Sequence, residues 1–181
     1  MLGTPEPDEL LMAQVAKGRG ESLEPLVRRY AVPLVSFLRR MTGSTESAEE
    51  LFQETFFAVW RKRATYQFPR PFKPWLYAVA LNAGRAAFRS AKPMMELPMD
   101  EPADPLTDSP PERAIATETA ARIARAVQNL PANQRAVVAM RVWDGLSYAQ
   151  IAEVTGRTEA TVRSHMSHGL AALRQVLTQS V

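Results

Sequence analysis

Three clusters of side chains have types and spacings that suit chemistry or binding. His165 and His168 are the only histidines, and their i, i+3 separation sets two imidazoles on one helix face, as metal ligands would be. No suitably spaced third ligand accompanies them. The chain has no cysteine, which excludes disulfides, thiolate catalysis and cysteine-held zinc. It has no phosphate-cradling glycine loop, no dinucleotide fingerprint and no serine in a nucleophile-elbow context. The sequence therefore reads as a non-enzyme, with no catalytic residue, no metal and no cofactor.

The second cluster interleaves cations with rings between Arg61 and Trp75. Rings stack on unpaired bases while cations follow phosphates, so Tyr66, Phe68 and Arg70 in the Pro-rich loop suit single-stranded nucleic acid. Phe72 and Trp75 fit equally well as anchors of that loop to a core. Asn82, Arg85 and Arg89 recur on one face of the following helix, either as a phosphate-contacting ridge or as a solvated face.

The third cluster runs from Tyr148 to Ser167 and has the pattern of a helix-turn-helix. Ala152 is small where two helix axes approach, Gly156 accepts positive φ at the turn, and Val162 points back beside Ile151. At about 100° per residue, Val162, Met166, Leu170, Leu173 and Leu177 fall within about 80° of one another, a core-facing stripe. Arg163, Ser164, Ser167 and His168 lie on or beside the opposite face, where small hydrogen-bonding groups reach base edges and phosphates. That motif implies duplex DNA as a partner.

These clusters need helices to hold them. Asp8 is placed to cap a short helix that ends at Gly18. A second helix opens at Ser22, is expected to kink or divide at Pro33, and ends at Gly43. Ser47 and Glu50 are spaced as a capping box for a third helix. On this helix Glu50, Gln53, Glu54 and Phe57 lie away from much of the apolar stripe, either as a protein-docking face or as a plain solvated one. A fourth helix is expected from about Trp75 to Arg89. Helix resumes near Pro111, a further helix opens at Pro131 and ends near Gly145, and Ser147 with Gln150 form a capping box into the helix-turn-helix.

Residues 92–111 hold six prolines and five acids, a composition that cannot sustain a helix or bury much apolar surface. The expected architecture is all-α: a helical domain over residues 8–91, a Pro-rich acidic linker over 92–111, and a helix-turn-helix domain over 112–181. Net charge divides with it: +5 over residues 1–92, −4 over 93–130 and +2 over 131–181. Two basic bodies flanking an acidic segment suit a polyanion partner. The first residues lack a signal-peptide pattern and no apolar run reaches the roughly 20 residues of a membrane helix, so the expectation is a soluble, cytoplasmic chain without membrane insertion.

Taken in order, these motifs resemble the extracytoplasmic function (ECF) class of bacterial RNA polymerase sigma factors. Ser47 to Phe56 looks like the region whose helix binds core RNA polymerase. Pro71 to Leu76 with Ala80-Leu81-Asn82 looks like the part that recognises and melts the −10 promoter element. Leu130 to Arg135 opens what looks like the −35-reading region. The resemblance implies that Glu50, Gln53, Glu54 and Phe57 face polymerase, and that the loop from Tyr66 to Arg70 holds a flipped −10 base. It also implies that Asn82, Arg85 and Arg89 support the displaced strand or upstream duplex, and that Arg163, Ser164, Ser167 and His168 meet the −35 groove. An anti-sigma factor is the implied regulator, with Phe57 in its interface. The rival reading is a one-component regulator that binds an operator by itself.

Overall fold

The computed structural model describes residues 6–90 and 111–178, excluding the side chains of residues 86–90, 111–118 and 177. The expected linker therefore lies outside the described residues, except for Pro111. Among the described residues there are eight α-helices: α1 (Asp8–Ala16), α2 (Leu23–Thr42), α3 (Thr45–Lys62), α4 (Phe72–Ser90), α5 (Pro111–Gln128), α6 (Ala132–Val142), α7 (Tyr148–Thr155) and α8 (Glu159–Thr178). No strand occurs among the described residues.

In the first helical body, α2 buries Leu26, Tyr30, Leu34, Phe37 and Leu38 at helical spacing against α3 and α4. Pro33 does not divide it; the helix is continuous from Leu23 to Thr42. Proline removes one amide donor, but buried residues on both sides of Pro33 hold the two halves in one core, and packing outweighs the missing bond. Asp8 is the first residue of α1 rather than its cap. Its carboxylate instead accepts from Arg29 and from the Tyr30 hydroxyl, each at 2.6 Å.

Gly43 ends α2 in the left-handed conformation, with φ 81°. Ser44 follows directly in extended backbone and accepts from the Ser47 amide at 3.2 Å. The cap of α3 is therefore Ser44, three residues before the serine expected, because its extended backbone sets its hydroxyl against the amide of Ser47. Similarly, α4 starts at Phe72, ahead of Trp75. The Phe72 amide, one of the unpaired donors of a helix start, is taken by Glu9 Oε1 of α1 at 3.1 Å.

In the second body the Ser147–Gln150 capping box forms in both directions, at 2.9 and 3.1 Å. Gly156 closes α7 with φ 67°. Ile151 and Val162 are fully buried beside this turn. The stripe on α8 holds at Val162 and Met166, but Leu170 is 42% exposed. Gly169, not Leu170, faces α6, so the helix pair approaches through a residue without a side chain.

The two bodies pack on each other: α4 lies against α7 and α2 against α6, and buried apolar residues of both join one cluster. Polar contacts reinforce the join. Of the carbonyls of Arg39, Arg40 and Met41 at the end of α2, the capping Gly43 amide reaches only that of Arg39. All three accept from the second body. Gln128 Nε2 donates to the carbonyls of Arg39 and Arg40 at 3.1 and 2.9 Å, and Arg135 to that of Met41 at 2.8 Å.

Candidate nucleic-acid interface

α8 presents the cleanest surface for nucleic acid. Arg163, Ser164, Ser167 and His168 are all exposed, on a helix whose opposite side is fixed by Val162 and Met166. The start of α8 is tied by the Thr161 amide donating to Thr158 Oγ1 at 3.2 Å. The Arg163 guanidinium lies 4.3 Å from the Tyr148 ring centroid and donates to Glu159 at 3.3 Å. Arg141 lies 4.9 Å from the same ring and donates to the Leu146 carbonyl at 3.0 Å. Tyr148 thus gathers two cations at one edge of this surface. Neither Tyr148 nor Arg141 stands out in the sequence, because their meeting depends on how α6, α7 and α8 cross.

The loop between α3 and α4 separates its rings. Phe68 is 53% exposed, as a base-stacking residue requires. Tyr66 is not: it is 6% exposed and packs edge-on against Phe72 and Trp75, with centroids 6.2 and 5.4 Å away. Its hydroxyl donates to the Arg70 carbonyl, and burial above all pushes its phenol up to about 12. The expectation that Tyr66 holds a base is thereby corrected. An aromatic ring adjoining other rings in sequence joined their core, and Tyr66 shapes the loop instead of lining it. Phe72 and Trp75 are core anchors, both buried. Arg70 forms an ion pair with Glu153 of α7. On α4, Asn82 and Arg85 are exposed; the side chain of Arg89 lies outside the described residues.

On α3, Glu50, Gln53, Glu54 and Phe57 are all exposed, Phe57 by 59%. Beside Phe57 runs a groove of about 390 Å³ lined by Leu23, Val27, Phe52, Phe56 and Trp60. An exposed ring rimmed by carboxylates and backed by an apolar groove suits docking onto a protein. It is poorly suited to DNA, whose phosphates the carboxylates repel.

Among the described residues no group of three or more His, Asp or Glu is placed to hold a metal ion, and no helix is long and apolar enough to cross a membrane.

Residues 26–93 match the family described as Sigma-70 region 2, and residues 120–173 that described as Sigma-70, region 4. The chain is 33% identical over 139 residues to the ECF RNA polymerase sigma factor SigF of Caulobacter vibrioides, covering 77% of this chain and 75% of that protein. It is 30% identical over 171 residues to the ECF RNA polymerase sigma factor SigM of Mycobacterium tuberculosis, covering 93% and 83%. Among solved structures, its fold is similar to that of CnrH, solved with the cytosolic domain of CnrY. The TM-score is 0.74 at 24% identity, over 97% of this chain and 100% of that one. RpoE of Bartonella quintana, solved with the anti-sigma factor NepR, gives 0.67 at 20% identity, over 87% and 99%.

Proposed function

The chain belongs to the ECF RNA polymerase sigma factors, and on that premise we propose how its parts divide the work of promoter-specific initiation. Residues 8–91 form the body that binds core RNA polymerase and the −10 element. Residues 112–181 form the body that reads the −35 element, and residues 92–111 connect them. The protein acts in the cytoplasm by binding, without chemistry of its own.

The observation that carries this reading is the exposed face of α8. Arg163, Ser164, Ser167 and His168 stand together on the second helix of a helix-turn-helix, free of packing duties. Arg163 and Arg141, gathered on Tyr148, supply phosphate contacts, while the serines and His168 reach the major-groove edges. In the −10 body, Phe68 is the stacking platform, and Asn82, Arg85 and Arg89 track the strand backbone. Glu50, Gln53, Glu54 and Phe57 dock onto polymerase. The same apolar groove beside Phe57 is the surface an anti-sigma factor would cover; RpoE, of similar fold, was solved in complex with the anti-sigma factor NepR.

Run-off transcription with bacterial core polymerase, with and without the chain, tests the proposal. Promoter-specific transcripts that depend on the chain are expected. Tight, polymerase-independent binding to a duplex operator with no such transcripts would favour the one-component regulator instead.

A further inference from the structure

α1 holds both ends of the loop that presents Phe68, although it lies ahead of the segment matched to Sigma-70 region 2, which begins at residue 26. Leu11, Met12 and Val15 seat the helix in the core of the first body. Asp8 ties it to α2, accepting from Arg29 and from the Tyr30 hydroxyl. Glu9, half-buried at the next position, is thereby aimed at the start of α4.

That start cannot be capped by its own sequence. Pro71, immediately before the helix, has no side-chain acceptor, and Pro74 has no amide to pair in the first turn. The Phe72 amide needs an acceptor from elsewhere. Glu9 Oε1 supplies it at 3.1 Å, across 63 positions of sequence, and sets a negative charge at the positive end of the α4 dipole.

The other end of the loop is the short 3₁₀ turn Arg63–Thr65, which packs against α1. Beneath the loop the Phe72 ring lies between Tyr30 and Tyr66, with centroids 5.5 and 6.2 Å away. Fixing Phe72 therefore fixes the floor on which the loop rests. Within the loop the Arg70 amide donates to the Gln67 carbonyl, and the Tyr66 hydroxyl to that of Arg70. Neither bond is made by Phe68, whose position follows from the anchored ends.

We propose that Glu9 is a positioning residue for the −10 loop: by capping α4 from α1, it holds Phe68 where the ring stacks on an unpaired base. Glu9 itself acts through Phe72 and needs no contact with DNA. The inference rests on the stacking role given to Phe68 above.

A purely structural defect lowers the amount of folded chain but leaves unchanged which bases the folded chain prefers, so the test reads preference. Holoenzyme assembled from core polymerase and the full chain is bound to promoter-length duplexes whose melted segment carries a randomised non-template strand. The captured strands are then sequenced against the input pool. The parent chain is expected to enrich particular bases, and Phe68→Ala to flatten the enrichment at the position where that ring stacks. Glu9→Ala should flatten the same position about fivefold, the equilibrium weight of one helix cap. Glu9→Gln keeps an acceptor oxygen for the Phe72 amide and should return it to within about twofold of the parent. If Glu9→Ala loses its helical circular dichroism, Glu9→Asp, which keeps the charge but is a methylene shorter, is expected to give the flattened pattern. Parent-like preference in the folded Glu9→Ala or Glu9→Asp chain, while Phe68→Ala flattens it, overturns the positioning role alone. Flattening that Glu9→Gln does not reverse assigns the effect to charge and overturns the cap. A parent pool without preference, or one that Phe68→Ala leaves intact, overturns the stacking role of Phe68, and the role of Glu9 falls with it.

Discussion

A Cβ built on Gly169 falls 2.7 Å from Val138 Cγ2, closer than real Cβ atoms come to a neighbour. Val138 is fully buried, and the crowding atom is a methyl on a stiff β-branched side chain. Alanine at position 169 would add helix propensity worth at most about 1 kcal/mol, against an overpacking cost of about 1–3 kcal/mol. Crowding should win because the 2.7 Å contact is with a stiff, fully buried valine, while Gln134 Cβ and Leu130 Cδ1, at 3.6 and 3.8 Å, are already in ordinary contact with the same point. Gly169→Ala is expected to lower stability in denaturant unfolding, and a stabilised variant would show that α8 can retreat from α6.

Tyr66 and Phe68 should separate stability from promoter opening. Tyr66→Phe removes a buried hydroxyl that donates to the Arg70 carbonyl and should cost about 1 kcal/mol of stability. Phe68→Ala removes an exposed ring and should change stability by less than about 0.5 kcal/mol. On a promoter, the order should reverse. Permanganate footprinting of the opened −10 region is expected to fall sharply for Phe68→Ala and little for Tyr66→Phe.

The legible parts of this fold were those fixed by local rules. Ser147 with Gln150, and Gly156 at the turn, depend on a few adjacent residues and on backbone sterics, and the structure reproduces them. Leu170 falls at one edge of the stripe, about 80° from Val162, while Gly169 falls about 20° beyond Val162 on the other side. The buried face is centred nearer Val162 than the apolar residues suggest, because a count of apolar residues passes over glycine. The placement of Tyr66 and the role of Asp144 are hidden in the sequence for another reason. Tyr66 is placed by rings 6 and 9 residues on, at the start of α4, and Asp144 by α4 residues 67 and 71 positions away, through the contact between bodies. The packing of the two bodies was likewise invisible, since a Pro-rich acidic connection signals separation and says nothing about mutual affinity.

Tyr148 should matter to DNA affinity without touching a base. With Arg163 and Arg141 both within 5 Å of its ring centroid, Tyr148→Leu loses two cation–π contacts worth about 0.5–1 kcal/mol each. Binding of the polymerase complex to a −35 duplex should weaken by a similar amount for every sequence, leaving base preference unaltered. Arg163→Ala should also lower the salt dependence by about one counterion if Arg163 meets a phosphate. Competition binding across several salt concentrations distinguishes the two variants; a change in preferred sequence for Tyr148→Leu would contradict a purely positioning role.

Asp144 makes the stability of the closed chain depend on pH in a definite direction. Burial raises its carboxyl above the ordinary value, while the Tyr77 hydroxyl, Lys73 and Arg40 oppose the shift without cancelling it. When the chain unfolds, Asp144 returns to about 3.9. Between that value and the raised one the folded state binds more protons than the unfolded state, so stability falls as pH rises. The contribution is complete below about pH 4 and is lost as pH climbs through the raised value. Asp144→Asn keeps an acceptor for Tyr77 but cannot titrate. The melting temperature of the parent chain, minus that of Asp144→Asn, should therefore grow as pH is lowered from 7 towards 4.5. The other ionisable groups are common to both chains and largely drop out of that difference. A difference that stays flat, or shrinks, would mean that Asp144 is already ionised and well solvated in the closed form.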